Sequence, residues 1–243
     1  MISFKSNQCK LFKQVKYSLS INTTRESILY EKYVPDYSSI NSYLTNHWPF
    51  NNDFNDIIGG ATLYNPVSCS FTTDRLNTQS SALFLNRGYV RAPTGIYFDG
   101  DFTMTVWVKL LEYAHKSLVT FGINQQDDVY LGIDYNSLYG ERINYYISNA
   151  GIRHNTFSQF NLKINVWQHY AITLSGTTAT IYVDGKLNYQ DTSVKPRSIS
   201  RTSNYVGCSN WPDCSPYAYV DDLKIFNRSL TQAEIIMVMN SYY

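Results

Sequence analysis

The chain carries few groups that make and break bonds, and they are scattered. Its four histidines, His47, His115, His154 and His169, are too far apart to form a helical ligand pair. No Gly-x-Ser-x-Gly elbow, P-loop or Gly-x-Gly-x-x-Gly run occurs. His169 falls two residues after Trp167, so on a strand the two side chains share a face. It reads as a general base or as a hydrogen-bonded core histidine, and the second is expected. Recognition chemistry is better represented. Cys208 and Cys214 bracket Ser209, Asn210, Trp211, Pro212 and Asp213. A loop this short closes readily, and a bridge would contribute roughly 2 kcal/mol; the alternative is two free buried thiols. A closed loop would hold Trp211 outward beside Asn210. An exposed ring stacks on a sugar face while a neighbouring amide bonds its hydroxyls. Tyr217 and Tyr219 follow at strand spacing on one face and complete a candidate ligand-binding set. Tyr145 with Asn144, or Tyr135, Asn136 and Tyr139, offer further rims. The alternative for these tyrosines is ordinary cover of a sheet surface.

The composition limits what such a surface belongs to. The 243 residues carry 20 Lys+Arg against 19 Asp+Glu, a net charge of +1. That gives no basic excess with which to neutralise phosphates, so nucleic-acid binding is not expected. Charged residues make up 16% and aromatics 16%, with 22 tyrosines and 22 asparagines. This low-charge, aromatic profile suits a β-rich extracellular surface and excludes a disordered chain. No apolar run approaches the roughly 18 residues needed to span a membrane. The start lacks an apolar signal core, so the chain is either cytosolic or a piece of a secreted protein. No Cys-x-x-Cys pair is present. The Cys208/Cys214 spacing and the sequons at Asn22 and Asn227 favour an oxidising, extracellular setting. The partners of Cys9 and Cys69 are left open.

Short strands must position these residues. Phe102–Leu110 alternates with period two, placing Phe102, Met104, Val106, Val108 and Leu110 on one face. Residues 167–174 and 177–183 form two more strands, and Asp184-Gly185 is a strong two-residue hairpin signal. Further strands are expected at 82–86, 89–92, 117–122, 129–134, 143–148 and 217–226. That spacing predicts an all-β sandwich. Thr231 and Glu234 form a capping box for a short terminal helix through Met239. Residues 1–33, with six Lys/Arg and two acids, stand apart, and the Pro-, Ser- and Asn-bearing stretch 34–42 reads as a linker.

Four stretches in order carry a resemblance: His47-Trp-Pro-Phe with Asp56-Ile-Ile-Gly-Gly; Asp101-Phe-Thr-Met-Thr-Val-Trp-Val; Trp167-Gln-His-Tyr with Thr180-Ile-Tyr-Val-Asp-Gly-Lys; and Val220-Asp-Asp-Leu-Lys-Ile-Phe through Ile235. Residues 43–243 thus resemble the laminin-G-like jelly rolls of the concanavalin A-like lectin/glucanase superfamily. The resemblance implies an all-β fold of two antiparallel sheets in a jelly roll. Residues 1–33 resemble the tail of an apple (PAN) module; a basic extension is the alternative.

Glucanases of that superfamily resemble one another in a Glu-x-Asp-x-(x)-Glu strand that presents both catalytic carboxyls. The five glutamates here, Glu26, Glu31, Glu112, Glu141 and Glu234, do not form it, so no catalytic residue is expected. Related domains often carry one structural calcium, which places Asp53, Asp56 and one of Asp221 and Asp222 as candidate ligands, with Asp222 preferred; a solvated acidic rim is the alternative. Alternation predicts that Asp221 and Asp222 face opposite ways. The expectation is a non-catalytic extracellular recognition module, part of a larger multidomain protein, binding carbohydrate or a glycoprotein through its loops. A protein-adhesion or spacer domain and an unusual glycoside hydrolase are the alternatives.

Overall fold

The computed structural model describes residues 37–243 except 137–139, 160, 161, 213, 242 and 243, and gives no side chains for 37, 135 and 136. The apple-like segment, Cys9, the Asn22 sequon and Tyr139 lie outside the described residues. In chain order the elements are α1 Tyr37–Asn41, β1 Leu44–Trp48, β2 Tyr64–Thr72, β3 Ala82–Ala92, β4 Phe102–Leu110, β5 Lys116–Asn124, β6 Asp127–Asn136, β7 Gly140–Asn149, β8 Ile152–Phe157, β9 Trp167–Ser175, β10 Thr178–Val183, β11 Lys186–Thr192, β12 Ser203–Val206, β13 Tyr217–Phe226 and α2 Gln232–Met239.

The strands pair antiparallel in the order β11-β10-β9-β4-β13-β3-β12-β5-β6-β7-β8, with β1 on β13 and β2 on β3. The continuous path is made possible by β3, whose first half pairs β13 and whose second half pairs β12. The bend falls at Arg87 (φ 52) and Gly88, where the backbone of Val67 and Ser68 crosses too closely to leave room for a Cβ. Two layers result, an antiparallel β-sandwich. Their inward faces interdigitate Met104, Val106 and Val108 of β4 with Val119 and Phe121 of β5, Leu131 of β6 and Ile147 of β7, all buried.

Strand β4 coincides with the alternating segment read from the sequence and β13 with the strand expected at 217–226, and the hairpin turns at Asp184 (φ 50) and Gly185 (φ 73). The two short segments at 82–86 and 89–92 are one bent strand. Strands β2, β8, β11 and β12 carry little alternation of hydrophobicity. Helix α2 has its capping box, with the Thr231 hydroxyl accepting from the Glu234 N–H. Arg228 adds two bonds to the same carboxylate, at 2.9 and 2.7 Å. Ile235 and Val238 are buried, whereas Ile236 is exposed. The described part of the expected linker is not a free tether. It forms α1, and Ile40 is buried in the small cluster that holds Phe226, Leu230 and Ile235. The packed unit therefore begins before residue 43.

Candidate functional site

The outward face of β6, β7 and β8 is where polar and aromatic side chains converge. Alternation sends Val129, Leu131 and Ile133 of β6 and Ile143, Tyr145 and Ile147 of β7 into the core. The intervening residues face outward in register: Tyr130 opposite Tyr146 opposite Asn155, and Gly132 opposite Asn144 opposite Phe157. The Tyr130 and Tyr146 rings stack at 4.5 Å with an interplanar angle of 8°. Tyr130 folds across Gly132, whose missing Cβ leaves space that the phenol occupies.

The 208–214 loop leans over this floor. Cys208 and Cys214 are disulfide-bonded with Cα atoms 4.0 Å apart. The loop base is tied to β5: the Ser117 hydroxyl donates to the Cys208 carbonyl (2.9 Å) and Lys116 Nζ to that of Cys214 (3.0 Å). Inside the loop, Trp211 N–H donates to Ser209 Oγ (2.9 Å), which fixes the indole's approach. The Arg153 guanidinium lies 4.3 Å from the Tyr146 ring and 4.5 Å from the Trp211 ring, sandwiched between them. The resulting groove, about 550 Å³, is lined by Trp211, Pro212, Tyr130, Tyr146, Arg153, Asn144, Asn155 and Phe157, with His115 and Asp134 at one end.

Its electrostatics are specific. Asp134 is held by Arg142, with Nε and Nη2 both 3.2 Å from Oδ2, and by His115 Nδ1 at 3.2 Å from Oδ1. Asp128 lies fully buried beneath the tyrosine pair, where Oδ2 accepts from the Tyr146 hydroxyl (3.2 Å). Burial pushes its carboxyl up to about 6, against the opposing pull of Ser148, Arg153, Tyr146 and Arg201. Asn144 Oδ1 is buried and makes no hydrogen bond with the described residues. The Trp211 indole nitrogen sits beside the Tyr146 hydroxyl outside hydrogen-bonding geometry. The partly exposed Trp211 indole and the exposed Asn155 amide are the kinds of group that stack on and bond to hydroxyl-rich ligands.

The structure brings Trp211 and Asn144 together and separates the other candidates. Asn210 lines the adjacent cleft. Tyr145 is a core residue. Tyr217 and Tyr219 lie on the opposite layer, both packed on Phe84, with Arg87 over Tyr217 and with Lys109 and Trp167 against Tyr219. The sequence reading missed Tyr130, Tyr146 and Arg153. Their signal was the polar-aromatic face of β6 to β8, visible only once both strand partners are known.

The acidic candidates do not fit a calcium. Both Asp56 oxygens are taken by N–H donors: His47 (2.8 Å), Ile58 (3.1 Å) and Gly59 (3.0 Å) at Oδ1, and Asn46 Nδ2 (2.7 Å) and Ala61 (3.1 Å) at Oδ2. Asp53 is exposed and caps the Asn55 N–H. Asp222 accepts from His47 Nε2 (2.8 Å) and Arg75 Nη2 (2.7 Å) and lies 3.7 Å from Lys224 Nζ. Calcium needs six to eight oxygens, and donors already surround these. Among the described residues no trio of His, Cys, Asp and Glu is placed to hold a metal. Asp221 and Asp222 do not face opposite ways either. A bulge in β13, with Asp222 at φ 49, lets Arg75 bond both carboxylates. His169 is buried, but on the outward side of β9 and not among the core side chains, and its Nδ1 makes no hydrogen bond with the described residues. Edge-on to Trp107 at 5.2 Å, its imidazole is pushed down to about 3 by burial, aided by Lys224 and Arg75.

Sandwich and groove together define a β-sandwich domain with a grooved outward face. The chain belongs to the concanavalin A-like lectin/glucanases superfamily, whose Laminin_G_3 family model matches residues 85–236. No curated protein matches the sequence. Solved structures share the fold. Domain 4 of AbnA, a GH43 extracellular arabinanase from Geobacillus stearothermophilus, in complex with arabinotriose, superposes with a TM-score of 0.62 at 17% identity, covering 80% of this chain and 97% of that one. The binding domain of Paraclostridial Mosquitocidal Protein 1 gives 0.64 at 15%, covering 84% and 53%. The botulinum neurotoxin serotype D ligand binding domain in complex with N-acetylneuraminic acid gives 0.61 at 14%, covering 83% and 52%. The chain thus spans about half the length of the toxin domains. Among the described residues no helix is long and apolar enough to cross a membrane.

Proposed function

We propose that this is a non-catalytic, extracellular carbohydrate-recognition domain of a larger protein, binding glycans or glycoproteins in the Trp211 groove. The observation that carries the reading is the groove itself: a disulfide-held indole and a guanidinium between two aromatic rings, with the asparagines Asn144 and Asn155 lining the same cavity. The sugar-bound arabinanase domain and toxin domain of the same fold support it. The non-catalytic part rests on the carboxylates. Asp134 is locked by Arg142 and His115, and Asp128 is buried below the floor, so neither is free to act as the acid of a glycosidase pair.

A glycan array with the full chain, followed by calorimetry on each hit, tests this. Trp211→Ala is expected to weaken the best hit about tenfold or more, the scale of one lost stacking contact with its hydrogen bond. Tyr219→Ala, on the opposite layer, is expected to leave it unchanged. Array silence, or equal losses in the two variants, would move the function to protein adhesion. Release of reducing sugar from any hit would make the domain an enzyme.

A further inference from the structure

On the other flank of the disulfide loop lies a second cleft, of about 430 Å³, lined by Asn124, Gln125, Gln126 and Asn210. Its lining is four primary amides and no charged group. Asn124 ends β5, Gln125 and Gln126 form the turn to β6, and the fourth comes from the loop that carries Trp211. Asn124 Oδ1 accepts from the Gln126 N–H (2.8 Å), and Gln125 Nε2 donates to the Asn210 carbonyl (2.9 Å), so turn and loop hold each other in place. The Asn210 side-chain nitrogen is buried and makes no hydrogen bond with the described residues.

The two clefts are physically joined. Asn210 faces one and Trp211 the other, and consecutive Cα atoms are only about 3.8 Å apart. Arg153 links them a second time: its guanidinium rests on Trp211 while Nη2 donates to the Gln125 carbonyl (3.2 Å). The exposed amides of Asn124, Gln125 and Gln126 offer donors beside acceptors, which matches the hydroxyls of a neutral sugar and supplies no counter-charge to an ionic one. The cleft opens widely to solvent, whereas a site that holds a small ligand alone buries most of its surface. A sugar tethered to a neighbour already seated in the groove has met the cost of association once.

We propose that this amide-lined cleft is a second sugar subsite, and that the ligand is a neutral oligosaccharide whose chain crosses the disulfide loop. The proposal rests on the sugar-binding reading of the Trp211 groove. Calorimetry of the full chain against ladders of one to six sugars from arabinan, xylan, β-glucan and mannan tests it. Affinity for the matching ladder is expected to rise about tenfold or more between one and three sugars and then level off. Asn124→Ala/Gln126→Ala, at exposed positions, is expected to reduce trisaccharide binding to the level of the shortest sugar that binds, without changing the latter. Because Asn124 also caps its own turn, Gln126→Ala alone is the second variant, with a smaller loss of the same pattern. Native affinity independent of length, or long-chain binding unaffected in both variants, would overturn the second subsite and leave the groove standing. Binding confined to sialylated or sulfated glycans would overturn the neutral assignment. Failure of the native chain to bind any glycan would overturn both.

Discussion

The two outward faces of this sandwich use the same residue types to opposite ends. On the layer holding β4, β9 and β13, Arg75 lies over Trp107 and bonds both Asp221 and Asp222, while Asp222 also takes His47 and neighbours Lys224. The aromatics of that layer pack on one another, Trp167 on Tyr219 and Tyr219 on Phe84. On the β6–β8 face, arginine again meets aromatic rings, but Asn144 Oδ1 is left without a partner and a cavity opens above it. An aromatic- and arginine-rich face is therefore not in itself a binding site. Both faces bury polar atoms that make no hydrogen bond with the described residues, Thr105 Oγ1 and His169 Nδ1 on one and Asn144 Oδ1 on the other, so the separating feature is the cavity that opens beside Trp211.

The largest effect expected from breaking that contrast is at Asp222. Asp222→Ala would leave Arg75, Lys224 and His47 buried short of a partner, which costs about 3–5 kcal/mol. Thermal melting should show a drop far greater than any substitution in the groove produces, and a near-native melting temperature would remove the distinction. The acid limb of the native protein reports the same layer. Burial of His47 and His169 lowers both imidazoles, His169 to about 3. The unfolded chain binds those protons first, so stability is expected to fall as pH drops from about 6.5 toward 3. Burial also disfavours the charge of Asp222, but His47, Lys224 and Arg75 outweigh it and hold its carboxyl below the usual range. Its contribution is likewise lost at the acid end. Asp221, raised by burial and by the neighbouring Asp222 charge, acts with opposite sign at higher pH.

Asp128 gives the reverse slope from the other face. Its carboxyl titrates near 6 in the fold, above the unfolded value near 4. The stability it contributes is present below that unfolded value and is lost as pH rises through 6. Asp128→Asn keeps an acceptor for Tyr146 and removes the buried charge. At pH 7.5 the variant is expected to be up to about 3 kcal/mol more stable by denaturant titration, with the gain vanishing below pH 4. A destabilised variant would mean that Arg153 and Arg201 depend on the charge more than burial opposes it.

These layers also differ in how far they could be read from sequence. Alternation made β4 legible, and Thr231 with Glu234 marked α2. Trp211 was legible because two cysteines at fixed spacing constrain a loop without reference to the rest of the chain. The Tyr130–Tyr146–Arg153 floor was not, because it exists only through the registers of β6, β7 and β8, and β8 shows little alternation to announce itself. The aspartates misled for the converse reason. Carboxylates that suggest a cation in a linear sequence are engaged here by backbone N–H groups and by an arginine from the distant Arg75 position, which a bulge at Asp222 admits.

The disulfide supplies the smallest effect and the sharpest test of how the groove is held. Trp211 is positioned by the 208–214 ring, by Ser209 and by Arg153 together. Opening the ring leaves the last two in place, so the indole keeps its partners but must be ordered on binding. Ordering one such side chain costs about 0.5–1.5 kcal/mol, equivalent to roughly a two- to tenfold loss of glycan affinity. Reductant should produce that loss in the native chain. The Cys208→Ser/Cys214→Ser variant should show it from the start and respond to reductant no further, which separates the bridge from Cys69, a free thiol in the structure. Affinity unchanged in the double variant would show that Arg153 and Ser209 alone set the indole. A loss as large as that of Trp211→Ala would show instead that the bridge, not the sheet below, builds this face of the groove.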